Sequence, residues 1–440
     1  MSGTCGELVH NRRMIRAGGL IDAAGRAASP GVVLLEGGRV CAAGPPESIG
    51  LVDDAIIEDW SGFLLMPALV NAHAHLDLSG EGTWPSAGAD FRGWVDRVRS
   101  LRTSMDPQSQ QEAIQRGIEL ALAGGTCCIG DIVGHPPNSS IQAGNSGHPP
   151  SGNAGHPPHS SIQALRASPL RGVGFIEVFG LGDGQGAAIE RMRTLQDEYP
   201  LVENGVRVGV SPHAPYSCGA AVFEAAADLG LPVTTHLAET RAEVEVCRSG
   251  TGPLRMMLEH DIGVWNASVD IPGMHPVDAL LGPLGRGRFL CAHVNWIEPR
   301  HVQMLATSGA RVVYCPRASA AFGHAPPQLL DHPWRSLHEA GVNVCLGTDS
   351  LLCLDTPDRL SVLDDMRLLY RRDGVDARLL LAMATVHGAK GLDLEPGLAV
   401  LGPDAAGVIA CPARGTTAEA MLADVLRRDE APVWVERADT

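Results

Sequence analysis

A chain of 440 residues with 45% hydrophobic and 19% charged side chains can bury a large core, which suits either two or three domains or one large barrel with an accessory part. Its net charge of −16 excludes a surface built to attract phosphate backbones or anionic lipid. Met1 to Gly19 holds no apolar core of signal-peptide length and no run reaches the roughly 18 apolar residues of a membrane span, so a cytoplasmic location with no nucleic-acid or membrane partner is expected.

In chain order, residues 1–65 alternate short apolar stretches with turns, as in GVVLLEGGRVCAAG, where Gly37-Gly38 separates two strands. This reads as the first part of a small β-domain. Residues 66–394 change rhythm to short apolar strands followed by helical patterns. Strands are expected at Leu64–Ala68, Thr126–Ile132, Gly172–Phe179, Val206–Val210, Pro232–His236, Phe289–Ala292, Arg311–Tyr314 and Val342–Leu346. Helices are expected at Gln110–Ala123, Ala220–Leu229 and Ala377–Ala389. Eight strand–helix units fit a closed parallel (β/α)8 barrel, an α/β fold whose chemistry sits at the C-terminal strand ends. The tail, residues 395–440, returns to strands and turns and is expected to complete the β-domain.

Residues 134–164 interrupt the barrel. GHPP occurs three times there and SSIQA twice. Such composition buries too little apolar surface to offset chain entropy, so a solvated insertion is expected and its His135, His148, His156 and His159 are not assigned to a metal.

The eleven cysteines form no CxxC pair, and several lie inside apolar runs, as buried thiols do in a reducing compartment. The chemistry-bearing residues lie elsewhere. FLLMPALVNAHAHLD runs an apolar strand into His73 and His75, which alternation along a strand turns to one face. His213 follows the fourth strand in SPHAPYSC; His236 and Glu239 follow the fifth in THLAET. His293 ends the sixth in CAHVNW, and Asp349 ends the eighth in LGTDS. A single strand-end histidine is commonly a hydrogen-bonded core residue. Five histidines and two carboxylates at one end of successive strands point instead to convergence on a site.

In that order, MPALVNAHAHLDLS, GTCCIGDI, VSPHAPYSC, THLAETRAEVE, CAHVNWIE and GVNVCLGTDS resemble the amidohydrolase superfamily, in its cytosine deaminase and triazine chlorohydrolase branch. The resemblance implies a distorted (β/α)8 barrel with a β-sandwich from both termini. It implies His73, His75, His236 and Asp349 as ligands of one divalent metal, Zn²⁺ ahead of Fe²⁺. Glu239 becomes the proton shuttle, His293 the group that steers the attacking water, and Asp349 also the acceptor of that water's proton. His213 matches a substrate-orienting histidine. Lys390 is the only lysine, so the carboxylated lysine that bridges two metals in binuclear relatives has no counterpart on the fourth strand. A single metal and attack on an aromatic C–N bond follow.

The loops depart from the family pattern at CPRASAAFGH, where Arg317 and Phe322 stand without the usual asparagine, and at LLCLD after Asp349. FRGWVDRVRSLR resembles the family's Phe-x-x-Trp helix near the substrate entrance, which makes Trp84, Phe91, Trp94 and Arg102 pocket candidates, although the spacing of Phe91, Trp94 and Val98 equally fits a packed helix face. The expected substrate-binding set is therefore His213, Trp84, Trp94 and Arg317.

The expected activity is metal-dependent hydrolytic deamination of an aminated heterocycle, a hydrolysis of a non-peptide C–N bond in a cyclic amidine. An adenine-bearing nucleoside of the aminodeoxyfutalosine, adenosylhomocysteine or methylthioadenosine type is the small-molecule substrate. The open alternatives are a triazine-type chloro- or aminohydrolase and a non-catalytic metal-binding barrel serving as a binding or assembly protein. Family resemblance also implies a homodimer.

Overall fold

A computed structural model describes residues 12–50, 52, 54–84, 91–134, 160–324 and 332–437. Eight parallel strands, Leu69–Ala74, Thr126–Val133, Arg171–Val178, Val206–Pro212, Val233–Leu237, Phe289–His293, Arg311–Tyr314 and Val344–Leu346, are hydrogen-bonded in that order. Runs such as TCCIGDIV and VTTHL are buried at every position, because helices cover the outside of a parallel sheet and side chains fill its inside. A bridge between Ala74 and Asp349 draws the eighth strand back to the first, so the barrel is nearly closed.

The second sheet joins both ends of the chain. Its order is Val433–Arg437, Gly407–Pro412, Ile56–Pro67, Arg12–Ile21, Gly31–Glu36 and Arg39–Gly44, with the short Ala27–Ala28 beside Arg12–Ile21. The tail strand Gly407–Pro412 runs antiparallel to Ile56–Pro67, with Ile409 opposite Met66 and Cys411 opposite Leu64. Ile15, Leu20, Val33, Leu35, Leu65, Val408 and Val435 form its own apolar core. The Gly37-Gly38 hairpin is as expected: both glycines have positive φ, the geometry a two-residue connection between twisted strands needs.

Four expectations change. Leu64–Pro67 ends a strand of the second sheet, and the first barrel strand is Leu69–Ala74. The chain changes sheets at Ala68, whose N–H donates to Gly407 O, while Leu69 N–H donates to Gly125 O. Ala377–Ala389 is two helices, Ala377–Met383 and Val386–Gly391. The tail contains a helix, Ala418–Arg427, capped by Thr417 and burying Met421, Leu422, Val425 and Leu426. Finally, the second SSIQA begins a helix, Ser160–Arg166, with Ile162 and Leu165 buried, in place of a solvated segment. GHPP histidines 135, 148, 156 and 159 lie outside the described residues.

Candidate active site

The C-terminal ends of strands one, five, six and eight meet. His73 lies within the first strand and His75 just beyond it, their ring centroids 5.1 Å apart, while Ala74 faces away into a cluster with Leu76 and Ile114. The carbonyl of His73 accepts N–H bonds from Thr348 (3.1 Å) and Asp349 (3.0 Å). That approach requires Gly347, where a Cβ would sit 2.8 Å from the Cβ of His73. Asp349 adopts φ +63°, a left-handed conformation that Asp tolerates better than most residues. Its carboxylate accepts from Ser350 N–H at 2.7 Å and lies 3.5 Å from His75 Nε2.

His236 contributes from the fifth strand. Its Nδ1 is 3.0 Å from the carbonyl of His213, and since a carbonyl only accepts, Nδ1 carries the proton and Nε2 presents a lone pair. Ligating atoms of His73, His75 and His236 lie within 4.8 Å of one another. Both ring nitrogens of His73 and Nδ1 of His75 are buried without a hydrogen-bond partner. Burial is the main cause that holds His73 and His75 well below the usual histidine pKa and His236 at about 4. Neutral imidazoles clustered in a dry site beside a carboxylate are the donor set of a tetrahedral Zn²⁺ or a related divalent ion. The residues present fit such an ion, since uncompensated nitrogens here otherwise carry a desolvation cost.

A second group, Glu239, His293 and Asp349, adjoins the first, again with ligating atoms within 4.8 Å. His293 Nε2 is 3.7 Å from Glu239 Oε1, and the His293 ring is 5.4 Å from that of His73. Burial, then the charges of Asp349 and Glu243, raise the Glu239 carboxyl well above the ordinary range, which favours its protonated form. Asp349 is pushed up to about 7, chiefly by burial.

Glu239 is not a first-turn helix acid: Thr240 is the cap of helix Arg241–Ser249, and Glu239 precedes it. What holds it is Glu243. This fully buried carboxylate accepts the N–H of Ala238 (2.8 Å) and of Glu239 (2.9 Å), across a residue at φ +50°. Strand-end spacing does not single out Glu243, which lies inside the helix after the fifth strand. The signal available was Thr240-x-x-Glu243, the spacing of a capping box, whose glutamate here reaches past the cap to the turn that carries Glu239. Glu243→Ala is expected to orphan two buried amides at about 1–3 kcal/mol each, and to lower kcat by releasing Glu239. Denaturant titration together with steady-state kinetics checks this; an unchanged kcat in a destabilised protein would restrict Glu243 to folding.

His213, the remaining strand-end histidine, borders the cluster. Its ring is 5.0 Å from His236 and 4.7 Å from Phe179, with Nδ1 2.7 Å from Ser217 Oγ. Glu177, His213 and His236 also group within 4.8 Å, but with Nδ1 of His236 held by the His213 carbonyl a single lone pair remains for either group.

The loop residues divide. Trp94 stacks on Phe91 (6.1 Å) and meets Phe322 edge-on (5.0 Å), its indole N–H buried beside the Cys353 thiol with no nitrogen or oxygen acceptor. Trp84 donates to Glu81 and lies under the Arg97 guanidinium at 4.0 Å. Arg102 is sealed between Asp77 (2.9 Å) and Glu177 (3.4 Å), tying helix Phe91–Ser104 to the barrel.

Arg317, expected to bind substrate, does not face it. Nε and Nη2 bond Asp365, Nη2 also bonds Ser361 O, and Nη1 bonds Thr356 Oγ1 and Asp355. All five donors of the guanidinium are engaged, which leaves nothing for a ligand. Arg317→Met is therefore expected to cost about 3–5 kcal/mol of stability, as breaking a buried pair does, with KM unchanged in the folded fraction. A selective rise in KM would restore a binding role.

With this geometry in hand, comparison with known proteins gives consistent matches. A model of the Amidohydrolase family matches residues 64–405. The aminodeoxyfutalosine deaminase of Deinococcus radiodurans is 29% identical over 396 residues, covering 86% of this chain and 85% of that one. The crystal structure of Helicobacter pylori aminofutalosine deaminase in complex with methylthio-coformycin superimposes with a TM-score of 0.74 at 20% identity, covering 96% and 97% of the two chains. An atrazine chlorohydrolase from Arthrobacter aurescens TC1 complexed with zinc gives 0.68 at 21% identity, covering 91% and 87%.

Proposed function

The chain belongs to the amidohydrolase family, and from that premise we propose that it is a metal-dependent hydrolytic deaminase of an adenine-bearing nucleoside, of the aminodeoxyfutalosine, adenosylhomocysteine or methylthioadenosine type. The observation that carries the reading is the fusion of two buried groups, His73–His75–His236 and Glu239–His293–Asp349, into one cluster. The deaminase activity of the Deinococcus relative supports the substrate class.

His73, His75, His236 and Asp349 would hold one divalent ion, with Zn²⁺, present in the atrazine chlorohydrolase, ahead of Fe²⁺. When bound, the ion supplies Lewis acidity that makes water a nucleophile near neutral pH. Asp349 accepts a proton from the attacking water. Glu239, whose carboxyl pKa is raised well above the ordinary range by burial, gives its proton to the ring nitrogen beside the attacked carbon. His293, neutral because burial holds its pKa well below the usual value, orients the incoming oxygen from beside Glu239. A C–O bond forms and the exocyclic C–N bond breaks: the proton that Asp349 took from water passes to the amine, which leaves as ammonia, and the hydroxyl proton of the adduct returns to Glu239. His213 and Trp94 border the space in which the nucleoside is oriented. Among the described residues no helix is long and apolar enough to cross a membrane. A homodimer and a cytoplasmic location remain part of the proposal.

The test is ammonia release by the Zn-loaded protein from the three nucleosides, cytosine, guanine and aminotriazines. Release from one adenine nucleoside supports the reading. Chloride or alkylamine released from a triazine without ammonia would replace it with the hydrolase alternative, and failure to retain any metal would favour a non-catalytic barrel.

A further inference from the structure

His332 lies outside every group described so far, yet it touches the backbone of one of them. It follows the seventh barrel strand's loop and is buried. Its Nε2 is 2.6 Å from the carbonyl oxygen of His293. Its Nδ1 accepts the N–H of Trp334 at 3.0 Å. That second bond determines the tautomer: Nδ1 must carry the lone pair, so Nε2 carries the hydrogen and donates it to His293. The ring is clamped flat against Tyr314, centroids 3.7 Å apart and planes 16° from parallel.

The carbonyl it grips belongs to an unusual turn. His293 has φ +71° and Val294 φ +55°, left-handed conformations that cost a β-branched residue such as valine most. On its other side the turn is tied to the fifth strand's loop: Val294 N–H donates to Leu237 O at 3.0 Å, Trp296 N–H to Ala238 O at 2.9 Å, and Asn295 Nδ2 to Glu239 O at 3.0 Å. Strained backbone persists where its surroundings over-determine it. Among the described residues, His332 supplies the one side-chain bond to the carbonyl that begins this turn.

We infer that His332 is a positioning residue for the reaction: by holding the His293 carbonyl, it keeps the left-handed His293–Val294 turn and with it the His293 ring against Glu239. This rests on the deaminase reading for its kinetic consequence, and on the geometry alone for its structural one. Burial holds the His332 pKa at about 3, so the donor form persists throughout the pH range of the protein.

Three variants separate the roles of the ring. In His332→Gln the longer amide reaches the carbonyl and keeps the donor. In His332→Asn the side chain accepts from Trp334 but stops short of His293. His332→Phe keeps the stack on Tyr314 and loses both bonds. Loss of a partner that orients a functional group typically costs about 10–100-fold. A fall of that size is expected in kcat for the Asn and Phe variants, with KM nearly unchanged, metal content equal to wild type and most of kcat recovered by Gln. Crystal structures of the Asn variant should show the 293–294 peptide rotated.

Wild-type kcat in the Asn variant, or losses that follow only melting temperature across all three, would overturn the inference and leave His332 a packing residue. Should the wild-type protein release ammonia from no nucleoside, the deaminase reading falls. The crystallographic comparison then decides alone: an undisturbed turn in the Asn variant overturns the positioning role, and a displaced one supports it.

Discussion

Glu239→Gln is expected to bind its metal and its nucleoside normally and to turn over about 10²–10⁴-fold more slowly, the range that a positioned proton donor contributes. The amide keeps the size of the carboxyl and can still approach His293, 3.7 Å away in the native protein. It cannot give up a proton to the ring nitrogen. The native carboxyl is suited to that step because burial, reinforced by Asp349 and Glu243, raises its pKa well above the ordinary carboxylate range. Metal analysis of the purified variant together with kcat and KM checks the expectation. Loss of metal in parallel with activity would assign Glu239 to ion binding, and an unchanged kcat would remove it from the mechanism.

His73→Ala should have the largest effect of any single substitution, taking both metal content and turnover to the level of a blank. His73 occupies the centre of the cluster, with ring centroids 5.1 Å from His75 and His236 and 5.4 Å from His293. Neither of its nitrogens has a protein partner. Disturbing a group that merely supports a metal ligand costs about 10–100-fold in affinity, and loss of a ligand sets a floor above that. A thermal measurement gives an independent readout. An ion that binds only the folded chain stabilises it by mass action, so chelation should lower the melting temperature of the wild type and leave that of the variant unmoved. A variant that retains one ion per chain and normal kcat would remove His73 from the ligand set.

Much of the site could be read from one dimension because it is built on strand ends. Residues two apart on a strand share a face, so His73-x-His75 announced its own geometry. The absence of a lysine in GVRVGVSPH bore on metal number without reference to any contact. The barrel strands were legible because parallel strands buried on both faces are continuous apolar runs bounded by turns. The same property caused the misplacement at the start of the barrel. FLLMPALVNAH is apolar through two successive strands of different sheets, and only the bonds of Ala68 to Gly407 and Leu69 to Gly125 reveal where one ends.

The sequence by itself determined the fold class and put the candidate site residues at successive strand ends, since both depend on local spacing and strand alternation; the role expected of each came from the family resemblance. Only the tertiary structure decided which charged and polar groups are free. Arg317 and Trp94 stood alike in the sequence as pocket residues, but Arg317 is consumed by Asp365, some fifty positions away, while the Trp94 N–H meets no nitrogen or oxygen acceptor and lies beside the Cys353 thiol. Glu243 and Glu245 lie two apart in one helix; one clasps the turn that carries Glu239 and the other lies by Thr251 at the protein surface. The physical reason is common to these cases. Spacing along the chain dictates which face a side chain takes, whereas its desolvation and its hydrogen-bond partners depend on whatever distant segment the fold packs against that face.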